Sequence, residues 1–308
     1  MRIAFLFSGQ GAQYPGMLQD LYQEESVVKE VFDKADKALG RSISDLCFKG
    51  TQEDLNLTHN TQPCVLAADL AAGELLRSKG VVAEAVAGFS LGEYAALTFA
   101  GAIKQDDVFP IVQVRADAMQ EAVPAGQGAM AALIGKDSVQ AGEICGLVKS
   151  GYVIPANYNS PVQTVISGEA VAVDEAVSIA EERGITCMKL AVSAPFHCKL
   201  MRPAAEKLAE LFKSKSFSNP AIPVYMNVDG EAIEDGSKVK DLLVQQAMSP
   251  VQWVKTLQNM REAGIDTFIE CGPGRTLSGL VKKTLTGVNI YRVENLKTLN
   301  STLEAVNK

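Results

Sequence analysis

The chain has 308 residues, of which 47% are hydrophobic and 21% charged, the balance of a globular protein with one large domain or two modest ones. The formal net charge of −7 argues against general nucleic-acid binding, because proteins that bind nucleic acids broadly carry a basic domain. No long uninterrupted apolar stretch is present, so we expect no membrane span.

The N-terminal part of the chain alternates short apolar runs with helical patterns. Residues 3–7 predict a buried strand, and residues 27–39 predict a helix. A second, more apolar helix is predicted over 64–79, opened by Pro63, and a short strand is predicted over 83–89. This alternation predicts an α/β domain with a mainly parallel sheet.

The middle of the chain has a different order of elements. The pattern predicts strand, helix, strand, strand, helix and strand at residues 129–134, 137–149, 153–157, 163–167, 171–183 and 186–192. This is the order of a ferredoxin-like unit, with residues 158–161 as a turn. We therefore predict a small ferredoxin-like subdomain at 127–191, inserted into a large α/β subdomain at 1–126 and 192–308. Later apolar runs predict strands of the large sheet at residues 222–228, 267–271 and 289–293.

The cysteines and histidines limit the kinds of site that the chain can form. The six cysteines are scattered without a Cys-x-x-Cys pair, and the chain has only two histidines, so we expect no zinc or other metal site. Scattered thiols in a chain of this length fit a reducing compartment, which predicts a cytoplasmic protein.

The segment AGFSLGEY at residues 87–94 contains the pattern Gly88-x-Ser90-x-Gly92, between a predicted strand and an Ala-rich helical pattern. In this position the glycines allow a sharp turn that lifts the serine onto the loop. The N-terminus of the following helix offers N–H groups to a developing oxyanion. The alternative is that Ser90 only caps the helix. Pattern and position together favour a nucleophile.

A serine nucleophile needs a base, and two histidines are available. His59 lies in a polar segment that predicts a solvated loop. His197 lies in SAPFHC, residues 193–198, at the end of the last predicted strand of the small subdomain, and it is the favoured base. No acidic residue is clearly placed to orient it. A main-chain or amide carbonyl could hold its Nδ1 proton instead, which would make a Ser-His dyad.

Seven segments are informative together, in chain order: FSGQGAQYPGM (7–17), TQP (61–63), GFSLGEYAAL (88–97), QVRADAMQ (113–120), SAPFHC (193–198), SPVQW (249–253) and ECGPG (270–274). In this order they resemble one family, the malonyl-CoA:acyl carrier protein transacylases of type II fatty acid synthesis. The resemblance covers essentially the whole chain. It implies a hydrolase-like large subdomain with a mainly parallel sheet and a ferredoxin-like small one.

The resemblance also implies roles for individual residues. Ser90 would be the acylated nucleophile and His197 its base, oriented by the main-chain carbonyl of Gln246. The main-chain N–H groups of Gln10 and Leu91 would form the oxyanion hole. One departure from the family pattern is Phe89, where many members have histidine, and it makes the pocket more apolar.

The resemblance gives Arg115 the role of binding the free carboxylate of the malonyl group. An arbitrary arginine on a helix is more often exposed, but the apolar neighbours at 112–119 favour burial or a pocket position. Other polar residues are candidates for the cleft, with hydrogen bonding inside the fold as the favoured role of each: Gln62, Glu93, Asn157 and Asn159.

The implied substrate is malonyl-CoA and the implied partner is acyl carrier protein, with no metal or redox cofactor, nucleic acid or membrane, and with a monomeric enzyme. Because acyl carrier protein is acidic, we expect a local basic patch, for which Lys189, Lys199 and Arg202 are candidates. Two alternatives remain: a serine hydrolase of acyl carrier protein or coenzyme A thioesters, and a binding module without activity. Arg115 favours transfer, since a hydrolase of neutral acyl chains has no use for it.

Overall fold

The computed structural model describes residues 1–135, 139–192 and 194–307, which form two sheets and the helices that cover them. The strands are β1 (Ile3–Phe7), β2 (Ala85–Gly88), β3 (Gly128–Ile134), β4 (Val153–Ser160), β5 (Gln163–Glu169), β6 (Thr186–Lys189), β7 (Val224–Tyr225), β8 (Ala232–Ile233), β9 (Thr267–Cys271) and β10 (Asn289–Val293).

The helices are α1 (Gln19–Glu24), α2 (Ser26–Leu39), α3 (Ile43–Lys49), α4 (Gln52–Asn56), α5 (Thr58–Ser78), α6 (Gly92–Phe99), α7 (Gln105–Glu121), α8 (Val139–Leu147), α9 (Ala170–Glu182), α10 (Arg202–Lys213), α11 (Val239–Gln246), α12 (Trp253–Glu262), α13 (Thr276–Thr284) and α14 (Leu296–Val306). Short 3₁₀ turns lie at Lys199–Met201 and Gly236–Lys238.

The larger sheet has the strand order β10-β9-β1-β2-β7-β8, in which every pair is parallel except β7 with β8. The prediction of a mainly parallel sheet is confirmed. The strand predicted at 222–228 is shorter in the structure, because Pro223 has no N–H group and the chain turns back after Tyr225 to form β8.

Side chains alternate between the two faces of this sheet, and helices cover both. Phe5 and Phe7 of β1 belong to the core formed with α5, where a β-carbon on Gly73 would lie 2.9 Å from the Phe7 ring. Leu6 belongs to the core of the opposite face, together with Trp253 of α12. The carboxyl ends of β1 and β2 therefore emerge between two helical layers.

The smaller sheet is antiparallel with the order β4-β5-β3-β6, and α8 and α9 pack on one face of it. This is the ferredoxin-like arrangement, so the predicted fold class is confirmed, while the boundaries at 127 and 191 stay a prediction. The strand β4 extends into the predicted turn as far as Ser160, because Tyr158 and Ser160 still pair with residues of β5. The strand β6 ends at Lys189, before the predicted residue 192. Predicted helix residues 137–138, and Ser193 of the SAPFHC motif, lie outside the described residues.

The prediction for the start of α5 was wrong. The helix begins at Thr58, so Pro63 lies inside it and His59 lies in its first turn, not in a loop. Proline has no N–H group for the carbonyl four residues earlier, which here belongs to His59. That carbonyl instead accepts hydrogen bonds from Arg41 at 2.9 Å and from Gln113 at 3.3 Å. These distant donors allow the helix to continue through the proline.

A helix that crosses a lipid bilayer needs about 20 predominantly apolar residues. Among the described residues, no helix combines the length and the apolar character that this requires.

Candidate active site

Ser90 lies in the tight turn that joins β2 to α6. Its φ of 53° is in the left-handed region, which residues with a β-carbon rarely adopt. A β-carbon on Gly88 would lie 1.9 Å from the main chain of Gly92, and one on Gly92 would lie 2.2 Å from the Phe7 carbonyl oxygen. Both glycines of the pattern are therefore required by close packing of the main chain around the serine.

The side chain of Ser90 contacts His197 and does not cap α6. Its Oγ lies 2.7 Å from His197 Nε2, and His197 Nδ1 lies 2.9 Å from the main-chain carbonyl oxygen of Gln246. A carbonyl oxygen can only accept, so Nδ1 carries the proton and the unprotonated Nε2 accepts from the serine hydroxyl. The arrangement is a Ser-His dyad whose histidine is oriented by a main-chain carbonyl.

His197 is buried, with 3% of its surface exposed, and its own φ is 59°. Burial, and then the positive charge of Arg115, lower the pKa of His197 to about 4, although hydrogen bonds to the main chain of Gln246 and Ser249 oppose this shift. The imidazole is therefore neutral at physiological pH, which is the form that can accept the serine proton.

Arg115 extends from α7 to a position directly beneath the serine. One terminal nitrogen lies 3.2 Å from Ser90 Oγ and 3.0 Å from Gln246 Oε1, and the other lies 2.7 Å from Gln62 Oε1. The guanidinium stacks near the Tyr94 ring, at 5.3 Å from its centroid. Only 1% of the arginine surface is exposed, in agreement with the burial expected from its apolar neighbours in the sequence.

The charge of Arg115 is only partly compensated within the protein. In the part of the chain that the structure describes, no carboxylate forms an ion pair with it, and its Nε has no hydrogen-bond partner. Its acceptors are neutral amide and hydroxyl oxygens, and burial lowers the pKa of the guanidinium. A buried cation in such surroundings favours an incoming anion.

The side chain of Gln246 joins the components of this site, a function that the sequence did not indicate. Its Nε2 donates to the carbonyl of Ser90 at 2.8 Å and to Glu93 Oε1 at 3.1 Å, while its Oε1 accepts from Arg115. Burial raises the pKa of Glu93 to about 8, opposed by hydrogen bonds from Asn227 and Gln246 and by the charge of Arg115. The amide thus links the buried cation to the buried carboxyl.

The groups expected to form the oxyanion hole lie on two loops near Ser90. Gln10 follows β1 and lines the cleft, and its side chain donates to Thr58 Oγ1 at 3.2 Å. Leu91 is buried and precedes the first turn of α6. Among the described residues, neither main-chain N–H group donates to a protein acceptor, whereas the N–H of Ser90 itself donates to Asn227. The two expected donors are thus available to a ligand.

A cleft of about 210 Å³ opens over Ser90 between the two subdomains. Large-subdomain residues that line it include Gly9, Gln10, Phe89, Ser90, His197 and Leu280, and small-subdomain residues include Met130, Asn157, Asn159 and Val165. Gln62 and Glu93 do not line this cleft but lie buried below it, in the hydrogen bonds described above.

Phe89 forms part of the cleft wall and packs edge-on against Trp253, with ring centroids 5.3 Å apart. A β-carbon on Gly9 would approach the Phe89 ring to 3.1 Å, so the ring also supports the loop that carries Gln10. The apolar ring that replaces the usual histidine therefore lies beside Ser90 in the cleft wall. Among the described residues, no cluster of histidine, cysteine, aspartate and glutamate side chains is arranged to hold a metal ion.

Comparison with known proteins places this geometry in a family. The acyl transferase domain family matches residues 4–301. The malonyl CoA-acyl carrier protein transacylase of Bacillus subtilis strain 168 is 40% identical over 308 residues, which are 99% of this chain and 97% of that protein. The protein of the same name from Escherichia coli K12 is 40% identical over 306 residues, which are 98% of this chain and 99% of that protein.

Solved structures agree with the sequence comparison. The malonyl CoA-acyl carrier protein transacylase of Clostridium perfringens superposes with a TM-score of 0.96 at 42% identity, over 100% of this chain and 98% of that one. A malonyl-transacylase solved in complex with a type II PKS acyl-carrier protein gives a TM-score of 0.96 at 39% identity, over 99% of this chain and 100% of that one. The chain therefore belongs to the malonyl CoA-acyl carrier protein transacylase family of acyl transferases.

Proposed function

We propose that this protein transfers the malonyl group of malonyl-CoA to the phosphopantetheine thiol of acyl carrier protein, through a malonyl ester on Ser90, and so supplies the extender unit for fatty acid synthesis. The main support is that Ser90 Oγ lies 2.7 Å from His197 Nε2 and 3.2 Å from the buried guanidinium of Arg115. The names of the full-length relatives support the same activity.

In the first half-reaction, His197 Nε2 accepts the Ser90 proton as Oγ attacks the carbonyl carbon of the malonyl thioester. The bond from this carbon to the coenzyme A sulfur then breaks, and the leaving sulfur takes the proton from His197. We infer that the free N–H groups of Leu91 and Gln10 donate to the oxyanion of the tetrahedral intermediate. Loss of one such donor typically costs about 10²- to 10³-fold in rate.

In the second half-reaction, His197 accepts the proton of the pantetheine thiol as its sulfur attacks the malonyl ester. The bond to Ser90 Oγ breaks, and Oγ regains a proton from His197, which restores the free enzyme. The first half converts a thioester to an ester and the second converts the ester back to a thioester, with no change of oxidation state. The mechanism therefore uses no redox cofactor and takes its charge stabilisation from protein N–H groups and Arg115.

The test of this proposal is the intact mass of the protein after brief mixing with malonyl-CoA. We expect a mass increase of one malonyl group, absent in Ser90→Ala and weak when acetyl-CoA replaces malonyl-CoA. The adduct should disappear when holo acyl carrier protein is added, with malonyl appearing on the carrier. Release of free malonate and coenzyme A without a lasting adduct would instead identify a thioester hydrolase. No adduct and no turnover would contradict both activities.

We propose that acyl carrier protein docks beside the entrance near His197, where exposed basic side chains follow the histidine. Lys199 lies 3.9 Å above the Tyr152 ring, and Arg202 begins α10. Lys189 is less suitable, because it already pairs with Asp174 at 2.7 Å. A complex of an acyl-carrier protein is known for a structural relative, which supports such a partner.

Reversal of both charges, Lys199→Glu with Arg202→Glu, should raise the KM for acyl carrier protein by about tenfold. Charges at the rim of an interface act mainly on the association rate constant, and each lost charge pair lowers it modestly. The kcat and the rate of Ser90 acylation by malonyl-CoA should stay near wild type. The matched control is Lys37→Glu with Lys49→Glu, which makes the same change of net charge on α2 and α3. An unchanged KM for the carrier would remove this surface from consideration.

We also propose a cytoplasmic, monomeric enzyme. Six free cysteines are compatible with a reducing compartment, and one chain supplies Ser90, His197 and Arg115 to a single cleft.

A further inference from the structure

Both main-chain polar groups of Ser90 are held by amide side chains from distant segments. The N–H group of Ser90 donates to Asn227 Oδ1 at 2.6 Å, and its carbonyl accepts from Gln246 Nε2 at 2.8 Å. The first of these bonds connects residues 137 positions apart in the chain. The carbonyl also accepts from the Glu93 N–H of the same turn at 3.2 Å, whereas the partner of the N–H group comes from a distant segment.

Asn227 spans the turn around Ser90. Its Oδ1 accepts from the Ser90 N–H while its Nδ2 donates to the Gly88 carbonyl at 2.7 Å, so both polar atoms of one amide are used. The residue has no exposed surface, so solvent does not compete for either contact in the folded protein. A planar amide offers a donor and an acceptor side by side; leucine offers neither, and a carboxyl group has a donor only when it is protonated.

The amide itself is held in place from two directions. The main-chain N–H of Asn227 donates to Glu93 Oε2 at 2.5 Å, and its carbonyl accepts from the Gln252 N–H at 2.8 Å. Glu93 belongs to the first turn of α6, which begins directly after the serine turn. The position of Asn227 is thus fixed relative to α6, the helix that begins directly after the Ser90 turn.

The conformation of Ser90 explains why these contacts matter. A φ of 53° is unfavourable for serine, and a residue held there relaxes unless its surroundings fix it. Rotation of the backbone toward an ordinary φ would swing the Cα–Cβ bond and move Oγ away from His197 Nε2. Buried N–H and carbonyl groups left without partners would add to this tendency.

We propose that Asn227 is a positioning residue, whose amide holds the strained Ser90 backbone so that Oγ stays within reach of His197. This role rests on the proposed function of Ser90 as nucleophile. Asn227 does not line the cleft, so it acts through Ser90 and not on the substrate.

The test compares Asn227→Ala and Asn227→Asp with Asn259→Ala as a matched control. Asn259 also donates its amide nitrogen to a carbonyl, that of Gly230 at 2.8 Å, in the loop that carries Asn227. Unlike Asn227, it does not contact Ser90. For Asn227→Ala we expect kcat to fall about 10²-fold, because a displacement of about 1 Å can cost this much, with KM for malonyl-CoA within about threefold. Asn227→Asp, which keeps the acceptor and has a donor only when its carboxyl is protonated, should fall less. Asn259→Ala should keep wild-type kcat.

Reaction of Ser90 with phenylmethylsulfonyl fluoride gives a second measurement that does not depend on malonyl recognition. Labelling should slow in parallel with kcat in both Asn227 variants and should be absent in Ser90→Ala. Unchanged labelling and kcat in a folded Asn227→Ala protein would overturn the proposal, and so would an equal loss in Asn259→Ala. If Asn227→Ala does not fold, the kcat and labelling of Asn227→Asp decide in the same way. Activity or labelling retained by Ser90→Ala would instead refute the nucleophile assignment.

Discussion

Substitution of His197 by alanine is expected to lower kcat for malonyl transfer by about 10³- to 10⁴-fold, the upper part of the range for loss of a general base. The reason is the short contact of 2.7 Å between Ser90 Oγ and His197 Nε2, with Nδ1 oriented by the carbonyl of Gln246. Single-turnover formation of the malonyl ester, followed by intact mass, is the direct measurement.

The other histidine provides the control for this variant. His59 lies in the first turn of α5, and among the described residues its hydrogen bonds to Arg41 and Gln113 use its main-chain carbonyl and not its imidazole. His59→Ala should therefore keep kcat within about twofold of wild type, since surface and half-buried substitutions of this kind act mainly on stability. A comparable loss of activity in both histidine variants would contradict the specific role of His197.

The pH dependence of the wild-type enzyme tests the same assignment without a mutation. The base is the neutral imidazole and its pKa is lowered to about 4, so kcat/KM should be level from about pH 8 to about pH 5 and fall as pH decreases through about 4. The unfolded chain binds this proton near the ordinary pKa of 6.5, so stability is also lost as pH falls between about 6.5 and 4. Rates should be corrected for the folded fraction at each pH. An acid limb centred near pH 6.5 would contradict a buried, neutral His197.

Three strands of the large sheet could be bounded from sequence because their signals are local, whereas β7 is shorter than predicted and β8 was not predicted. The predictions at 3–7, 267–271 and 289–293 coincide with β1, β9 and β10, where apolar runs end at glycine or polar residues. The helix α5 could not be bounded in this way. Its continuation through Pro63 depends on donors from Arg41 and Gln113, which are far away in the chain.

In the candidate site, too, residues with a local sequence motif could be predicted and residues placed only by the fold could not. Ser90 and His197 carry recognisable motifs, and their pairing could be predicted because the chain has few histidines. The contributions of Asn227 and of the Gln246 side chain left no such signal. They consist of single amides placed 137 and 156 residues away from Ser90, and only the folded chain brings them to its backbone.

Substitution of Arg115 by alanine is expected to lower kcat/KM for malonyl-CoA by about 10²-fold and to reduce the preference for malonyl over acetyl groups by a similar factor. Hydrogen bonds to charged groups contribute about 1.5–3 kcal/mol, and a carboxylate can form two of them with one guanidinium. The arginine is buried beneath Ser90 Oγ, with no carboxylate partner of its own among the described residues. The measurement is kcat/KM for both acyl-CoA substrates with each variant.

A second arginine serves as the matched control for this substitution. Arg41 also forms three side-chain hydrogen bonds, to Asn60, His59 and Gln113, and contacts the same helix α7 without contacting Ser90. Arg41→Ala should destabilise the protein while leaving the ratio of malonyl to acetyl kcat/KM unchanged. Arg115→Lys should recover only part of the preference, because an ammonium group keeps the charge but not the planar pair of donors.

The ratio of the two substrates separates carboxylate recognition from a general effect on the nucleophile. Arg115 contacts Ser90 Oγ, and its charge helps to lower the pKa of His197, so its removal should also move the acid limb of the pH profile to higher pH. Those effects act on acetyl and malonyl transfer alike. If Arg115→Ala lowered both by the same factor, the arginine would serve the dyad and not the substrate carboxylate. A loss confined to malonyl-CoA would identify the guanidinium as the group that selects a carboxylated acyl chain.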